Sequence, residues 1–485
     1  MPTTPAIYKT YLVRCMSYID QQQYAPDHRF TIERLGQLTP PHLMRWFNHE
    51  VFGIENPPVG HDLNPRVRSS SVKVWNKAIL FFMPNKLMPW NQLSQAGNPT
   101  RSTELNELIK YMLKKEVRKQ GVPLQADRTM KSNEYRRLME ILKTESADGD
   151  IVRKYGIPAL ANYQFHMIAR VDDATQSLKE NLKPHDNFPD FALKTRLNWS
   201  KNVLEERDAP FQAVLASMDH VYCVHLSLAL WLELHGEQNP NALLSPYLFA
   251  FSNDNEVPSG GNKAKSTVQS IVGRLFQRAE FQRGLGTHSW PKHAATDCRG
   301  KGATQNELDI RGRWRSAMKR RISDVYVDVE LPYPDTKVAA LLCIGGPCKY
   351  SVRANSGITN NWVLEKVVPH ARLLVSDETA LVLGRALLWY AFTLEGSNDI
   401  PAPLLQRIQN AYNELNNNLQ EGMNPVLKVP VIVTGQDAQV FIDEIPDIDA
   451  QQVPDGGNNN IANNNPAPIR SQLVALQSQL MALRR

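Results

Sequence analysis

Five residues, widely separated in the chain, have the side-chain types needed to break a phosphodiester bond without a metal ion. In such a reaction a nucleophile attacks phosphorus, cations neutralise the charge of the transition state, and an acid protonates the leaving oxygen. Arg grips phosphate oxygens as a planar fork, Lys and His transfer protons, and a Tyr hydroxyl can attack. In chain order the five are Arg170, Lys201, His288, Trp314 and Tyr326.

Each of these residues, taken alone, has an ordinary structural explanation. Arg170 and Asp173 are three positions apart, which predicts one helix face and a surface ion pair. Lys201 follows a β-type segment and is typical of a turn. His288 comes after a glycine-rich stretch, near the predicted start of a helix. Phosphodiester chemistry is therefore indicated by the five residues in this order, and not by any one of them alone.

The sequence around these residues resembles the tyrosine recombinase/integrase family, most closely the recombinases of Crypton-type transposons. The resemblance spans residues 65–350 and rests on segments that read FFMPNKLMPWN, GNPTRS, GTHSWPKHAAT, RGRW and YPDTKVAALLCIGGP. It implies that Arg170 clamps the phosphate, Lys201 protonates the 5′-oxygen, and His288 assists proton transfer. Trp314 would pack on the phosphate, and Tyr326 would form a 3′-phosphotyrosyl intermediate. Tyr333, which lies between two prolines, is the alternative nucleophile.

One position departs from the family pattern. The family has a second clamp arginine three residues after the histidine, and this chain has Pro291 there. Losing such a donor typically costs about 3–4 kcal/mol of transition-state stabilisation. Lys292 is a possible partial substitute, but one residue along a helix is a rotation of about 100°. The sequence thus supports two hypotheses, an active recombinase and a non-catalytic DNA-binding protein derived from a mobile element.

Basic residues are concentrated in two places. Between Arg274 and Arg321 there are twelve basic and four acidic residues, a net charge of +8 in a chain of net +6. Such a concentration is typical of a nucleic-acid contact surface. A predicted helix ending near Gln120 carries a second basic stripe, which is either a solvated face or a phosphate contact. The predicted DNA-binding residues are Lys110, Lys114, Lys115, Arg118, Lys119, Arg311, Arg313 and Arg315.

The element pattern predicts a mainly α protein with a small antiparallel β-sheet, an α+β fold. Helices are expected from Ser70, from about residue 100 to Gln120, from Ser132, and over 158–182, 221–234, 266–281, 288–300 and 305–320. Two β-type segments, 191–199 and 209–217, predict a hairpin. Further helices are expected near 378–394 and 402–420.

The predicted organisation has six parts. They are an N-terminal extension (1–64), a helical core-binding domain (65–130), a recombinase-like catalytic domain (131–335), an accessory region (336–440), an acidic and Asn-rich linker (441–468) and a short heptad helix (469–485). The catalytic core preceded by a core-binding domain is what the resemblance implies.

Composition bounds the remaining expectations. Five cysteines without a CxxC pair favour free thiols in a reducing compartment, and no apolar stretch is long enough for a membrane span. The spacing of His288, His293 and Cys298 does not align metal ligands, and there is no P-loop or dinucleotide fingerprint. We therefore expect an intracellular, nuclear protein without metal or small-molecule cofactor. Its expected partners are double-stranded DNA and further copies of itself, as a dimer or tetramer.

Overall fold

In the computed structural model the described residues are 4–58, 62–122, 127–147, 149–200, 203, 209–251, 257–314, 335–353, 356–417 and 431–434. The chain divides into two compact units, Met1–Arg128 and Thr129–Arg485. Lys201, Arg315, Tyr326 and Tyr333 lie outside the described residues, as do the predicted linker and heptad helix.

The first unit is helical. Its helices are α1 (Thr4–Asp20), α2 (Ile32–Gly36), α3 (Pro40–Phe52), α4 (Ser69–Phe82) and α5 (Thr103–Val117). Leu12, Trp46, Val72 and Met112 come from four of these helices and share one hydrophobic core. The structure therefore differs from the predicted division at residue 64, because the first 64 residues supply part of the core that the following helices need.

The second unit is mainly helical with small antiparallel sheets, which confirms the predicted α+β class. Its helices up to the candidate site are α6 (Ser132–Thr144), α7 (Ile157–Met167), α8 (Val171–Thr175), α9 (Val224–Gln238), α10 (Gly261–Leu275), α11 (Ser289–Gly300) and α12 (Gln305–Arg311). The later helices are α13 (Asp335–Leu342), α14 (Asn360–Trp362), α15 (Asp377–Tyr390), α16 (Leu394–Ser397) and α17 (Ala402–Asn417).

The described part of this unit also contains two three-stranded sheets. The first has the order β1 (Lys183–Pro184), β2 (Leu193–Thr195) and β3 (Gln212–Val214), all antiparallel. The second has the order β4 (Ala216–Ser217), β5 (Pro347–Val352) and β6 (Val431–Thr434). The β2–β3 pair confirms the predicted hairpin, and β1 adds an edge strand that the sequence pattern did not reveal.

Residues beyond 335 belong to the core of the second unit. Val338, Leu383 and Ile408 are each at most 1% exposed and pack in the same cluster as the helices before residue 310. Glu233 on α9 is fully buried and pairs with Arg407 on α17. The predicted accessory region is therefore not a separate body, because its apolar faces cover α9 and the sheets.

The predicted helix over 158–182 is wrong, because the chain leaves the helix at Ile168. Ile168 has φ 46°, the left-handed conformation that commonly ends a helix. α8 then begins after Arg170. Within the described ranges, no helix combines the length and the apolar character that crossing a bilayer requires.

Candidate functional site

The carboxyl end of α7 is the structural centre of the candidate site. The last carbonyls of a helix have no partner within the helix and carry partial negative charge. Here they meet two buried guanidinium groups: Arg311 donates to the His166 oxygen at 2.8 and 3.0 Å, and Arg313 donates to the Met167 oxygen at 3.1 Å. Arg313 and Met167 are 146 residues apart in the chain.

Arg311 is a structural residue of this centre. Its side chain is fully buried, donates to Ala213 at 2.7 Å, and pairs with both carboxylate oxygens of Asp335 at 2.7 Å. These contacts tie α7, β3 and α13 together. The predicted role of Arg311 as a DNA contact is corrected, because a guanidinium enclosed by protein acceptors does not face a phosphate backbone.

Arg313 is buried in the same way, at 6% exposure. It donates to Gln212 at 2.5 Å and to the Arg311 oxygen at 2.9 Å, and burial lowers its pKa to about 10. Its backbone adopts the left-handed region, with a φ of 52°. The predicted direct contact of Arg313 with DNA is likewise corrected.

Trp314 follows directly and remains half-buried, packed against the core. A Cβ on Gly312 would lie 2.7 Å from the indole ring, so only glycine fits beneath it. The glycine of the RGRW box is thus explained by the close approach of this ring. The contact of Trp314 with a phosphate stays a prediction.

Arg170 is half-buried at the start of α8 and not inside a helix as predicted. Asp173 is 4% exposed and accepts a hydrogen bond from the Arg170 backbone. Burial raises the pKa of Asp173, against the opposing charges of Arg313 and Arg170. The predicted surface ion pair is therefore replaced by a buried carboxylate between two arginines.

The same carboxylate reaches the hairpin. The Ser200 hydroxyl donates to Asp173 at 3.3 Å, and Ser200 immediately precedes Lys201. Asp173 thus connects the segment around Arg170 with the one that ends at Ser200.

His288 is exposed and occupies the position before α11. The turn is closed by Ser289, whose backbone donates to Gly286 at 2.9 Å and whose hydroxyl accepts from the Gly286 backbone at 3.1 Å. α11 packs against α7, with the rings of His293 and Phe165 5.2 Å apart. His288 therefore lies at the amino end of a helix that rests on the centre described above.

Pro291 is buried in the first turn of α11. Proline is tolerated there, because the first backbone N–H groups of a helix have no intrahelical acceptor. Lys292 is exposed, as is His288 four positions before it. Residues four apart share a helix side, so the exposed cation near His288 is Lys292, while position 291 points into the protein.

The neighbouring histidine is structural. His293 is 5% exposed, lies 3.3 Å from the Tyr222 hydroxyl, and has a pKa lowered mainly by burial. Among the described residues, no group of three or more His, Cys, Asp or Glu side chains is arranged to hold a metal ion.

The basic stripe on α5 is only partly as predicted. Lys110, Lys114, Arg118 and Lys119 are exposed. Lys115 is 2% exposed and pairs with Asp62, because it shares the buried helix side with Leu108 and Met112. Lys115 is therefore removed from the predicted contact surface.

Fewer of the basic residues over 274–321 can contact DNA than the sequence count indicates. Besides the two buried arginines, Arg278 pairs with Glu145 at 2.6 Å and with Glu280 at 3.0 Å, and Lys301 pairs with Asp297 at 2.8 Å. Charge counted along a sequence does not distinguish paired from solvent-facing groups.

Two sets of polar residues, the first exposed and the second exposed or half-buried, were missed by the sequence analysis. One is the outer side of α10, and the other is the outer face of the sheet formed by β1–β3. The alternation of Lys194 and Arg196 with Leu193, Thr195 and Leu197 was an available signal for the second set.

The chain matches no known protein-family model, and no curated protein is similar to it in sequence.

Proposed function

We propose that the chain binds double-stranded DNA and acts on it as a tyrosine recombinase, through a 3′-phosphotyrosyl intermediate. The observation that carries this proposal is the convergence at the carboxyl end of α7. There Arg313 donates to the Met167 oxygen, and Asp173, six positions after Met167, accepts from Ser200, so three segments of the chain meet.

The arrangement of His288 and Lys292 supports the same proposal. Both are exposed on one side of the start of α11, which packs on α7. In this reading Lys292 supplies positive charge that the family places at the preceding position. A lysine is a point charge and not a bidentate fork, so the proposed enzyme is slower than one with an arginine clamp.

The outer side of α10 provides base-reading chemistry. α10 packs on α8 through Val268 and Val272, and its opposite side is exposed. Asn and Gln read adenine edges in the major groove and Arg reads guanine, while small residues allow close approach. The exposed residues of this side are Asn262, Lys263, Ser266, Gln269, Ser270, Gly273 and Arg274.

The second candidate is a DNA-binding protein that has lost strand cleavage. The observation that favours it is Pro291, which is buried and offers no donor where the family has its second clamp arginine. Under either candidate we propose a nuclear protein that acts on DNA as a dimer or tetramer.

A trapped covalent complex distinguishes the two candidates. The full chain is incubated with a mixed-sequence pool of nicked duplexes, and protein–DNA adducts are separated under denaturing conditions. A recombinase gives an adduct that Tyr326→Phe abolishes and Tyr333→Phe retains. Good DNA binding without any adduct supports the second candidate, and recovery of the adduct in Pro291→Arg then assigns the loss to that position.

A further inference from the structure

The first sheet carries three cations on its outer face. Lys183 is paired in register with Lys194, and Lys194 and Arg196 are two positions apart on β2 and its extension. Residues two apart on a strand share a face, and so do residues that are directly opposite. Lys183, Lys194 and Arg196 therefore project from the same side.

These cations surround one aromatic ring. The Lys183 and Lys194 ammonium groups lie 6.0 and 4.8 Å from the centre of the Phe211 ring, and the Arg196 guanidinium lies 4.9 Å from it. We call these four residues the sheet platform. The negative face of an aromatic ring attracts cations and holds them in place.

Within a folded protein this arrangement has a cost. Like charges directly opposite each other destabilise a pair of strands, and Lys183 and Lys194 are such a pair. Asp186 offsets part of this cost, since both of its carboxylate oxygens accept from Lys194. The Lys194 side chain is 17% exposed and that of Asp186 is 76% exposed, so a phosphate must compete with this carboxylate. A positively charged cluster held at an unfavourable spacing is well suited to bind a polyanion.

The location connects the sheet platform to the candidate site. The β2 segment continues from Arg196 to Trp199, which is 67% exposed, and then to Ser200, which bonds to Asp173. On nucleic-acid surfaces exposed aromatic rings contact sugars and bases while cations contact phosphates. Trp199 follows Arg196 by three positions in the chain.

The geometry points to the sheet platform as an anchor for the DNA backbone beside the phosphate that is cleaved. Lys183, Lys194 and Arg196 bind phosphates that flank the reacting one, and Phe211 fixes the directions of the three cations. This inference rests on the proposed function and adds the residues that hold the duplex against the hairpin. It predicts a contact that is independent of base sequence, since it involves only phosphates.

The test is the salt dependence of DNA binding by the full chain. The logarithm of the binding constant falls with the logarithm of salt concentration, with a slope of about −0.9 for each phosphate contact. We compare wild type with Lys183→Gln/Lys194→Gln/Arg196→Gln on a mixed-sequence duplex between about 50 and 200 mM salt. The expected slope is shallower by about 2.7, and Lys194→Arg alone keeps the wild-type slope.

Two further variants separate charge from folding. Lys366→Gln removes an exposed cation outside the sheet platform and leaves the slope unchanged. Phe211→Leu keeps apolar volume but removes the ring, so affinity falls while the melting temperature stays close to that of wild type. An unchanged slope in the triple variant, with wild type still binding DNA, overturns the platform alone. Absence of any DNA binding by wild type overturns the proposed function as well.

Discussion

The guanidinium of Arg311 donates hydrogen bonds to a carbonyl at the end of α7. Without it, this buried carbonyl would need water as its donor. Arg311 satisfies backbone oxygens of His166 and Ala213 and pairs with Asp335, which is 11% exposed. Removing one partner of a buried ion pair leaves the other charge without compensation. The stability of the second unit therefore depends on this residue more than on the exposed ion pairs.

Arg311→Ala is expected to lower the free energy of unfolding by about 3–5 kcal/mol. Denaturant titration of the full chain measures this loss. Arg372→Ala is the matched control, because Arg372 pairs with Asp377 at 3.0 Å and the two side chains are 28% and 51% exposed. Its expected cost is below about 1 kcal/mol. Equal losses in the two variants would contradict the structural role assigned to Arg311.

At the scale of elements, α10 has an inner side that packs and an outer side that is open. Gly273 lies on the outer side, and a Cβ there would meet no atom within 4 Å. Gly261, at the start of the same helix, has φ 57°, and a Cβ there would lie 2.8 Å from Gln176. The fold therefore requires glycine at position 261, where the backbone is left-handed and space is short. At position 273 the fold would accept a larger residue.

Gly273→Ala is expected to raise the free energy of unfolding by about 0.5–1 kcal/mol, because glycine in a helix interior costs backbone entropy. Gly261→Ala is expected to lower it, and thermal melting measures both. If α10 enters a DNA groove as proposed, Gly273→Glu weakens DNA binding without loss of stability. Stabilisation by both alanines would show that the start of α10 is not constrained as described.

At the scale of the whole molecule, the second unit needs chain that lies far beyond its candidate site. Leu404 and Ile408 on α17 are buried, and Arg407 pairs with the fully buried Glu233. β6 pairs along β5, which in turn pairs with β4. Residues 336–417 and 431–434 therefore complete the core around which the site is built.

A chain ending at residue 400 is expected to lose the cooperative melting of the second unit, because it lacks the buried apolar side of α17 and leaves the buried Glu233 without its cation, Arg407. A chain ending at residue 440 retains α17 and β6 and is expected to keep it. Differential scanning calorimetry of both truncations, beside the full chain, measures the effect. Cooperative melting of the shorter chain would mean that the region after residue 400 is dispensable for this fold.

The sequence by itself determined the fold class, the hairpin of β2 and β3, and most helices, since these follow from local periodicity and from residues that begin or end helices. It could not determine the break at Ile168. The left-handed turn there is stabilised by Arg311 and Arg313, which come more than 140 positions later in the chain. Arg311 and Arg313 show the same limit for the site. As sequence they indicate a DNA contact, and only the tertiary structure turns them inward.

The same reason explains the other differences. Whether a lysine faces solvent, as Lys114 does, or the interior, as Lys115 does, depends on the partner that covers the helix. The sheet platform depends on the register of three short strands. Burial and register are set by contacts between distant segments, and those contacts form only when the whole unit folds.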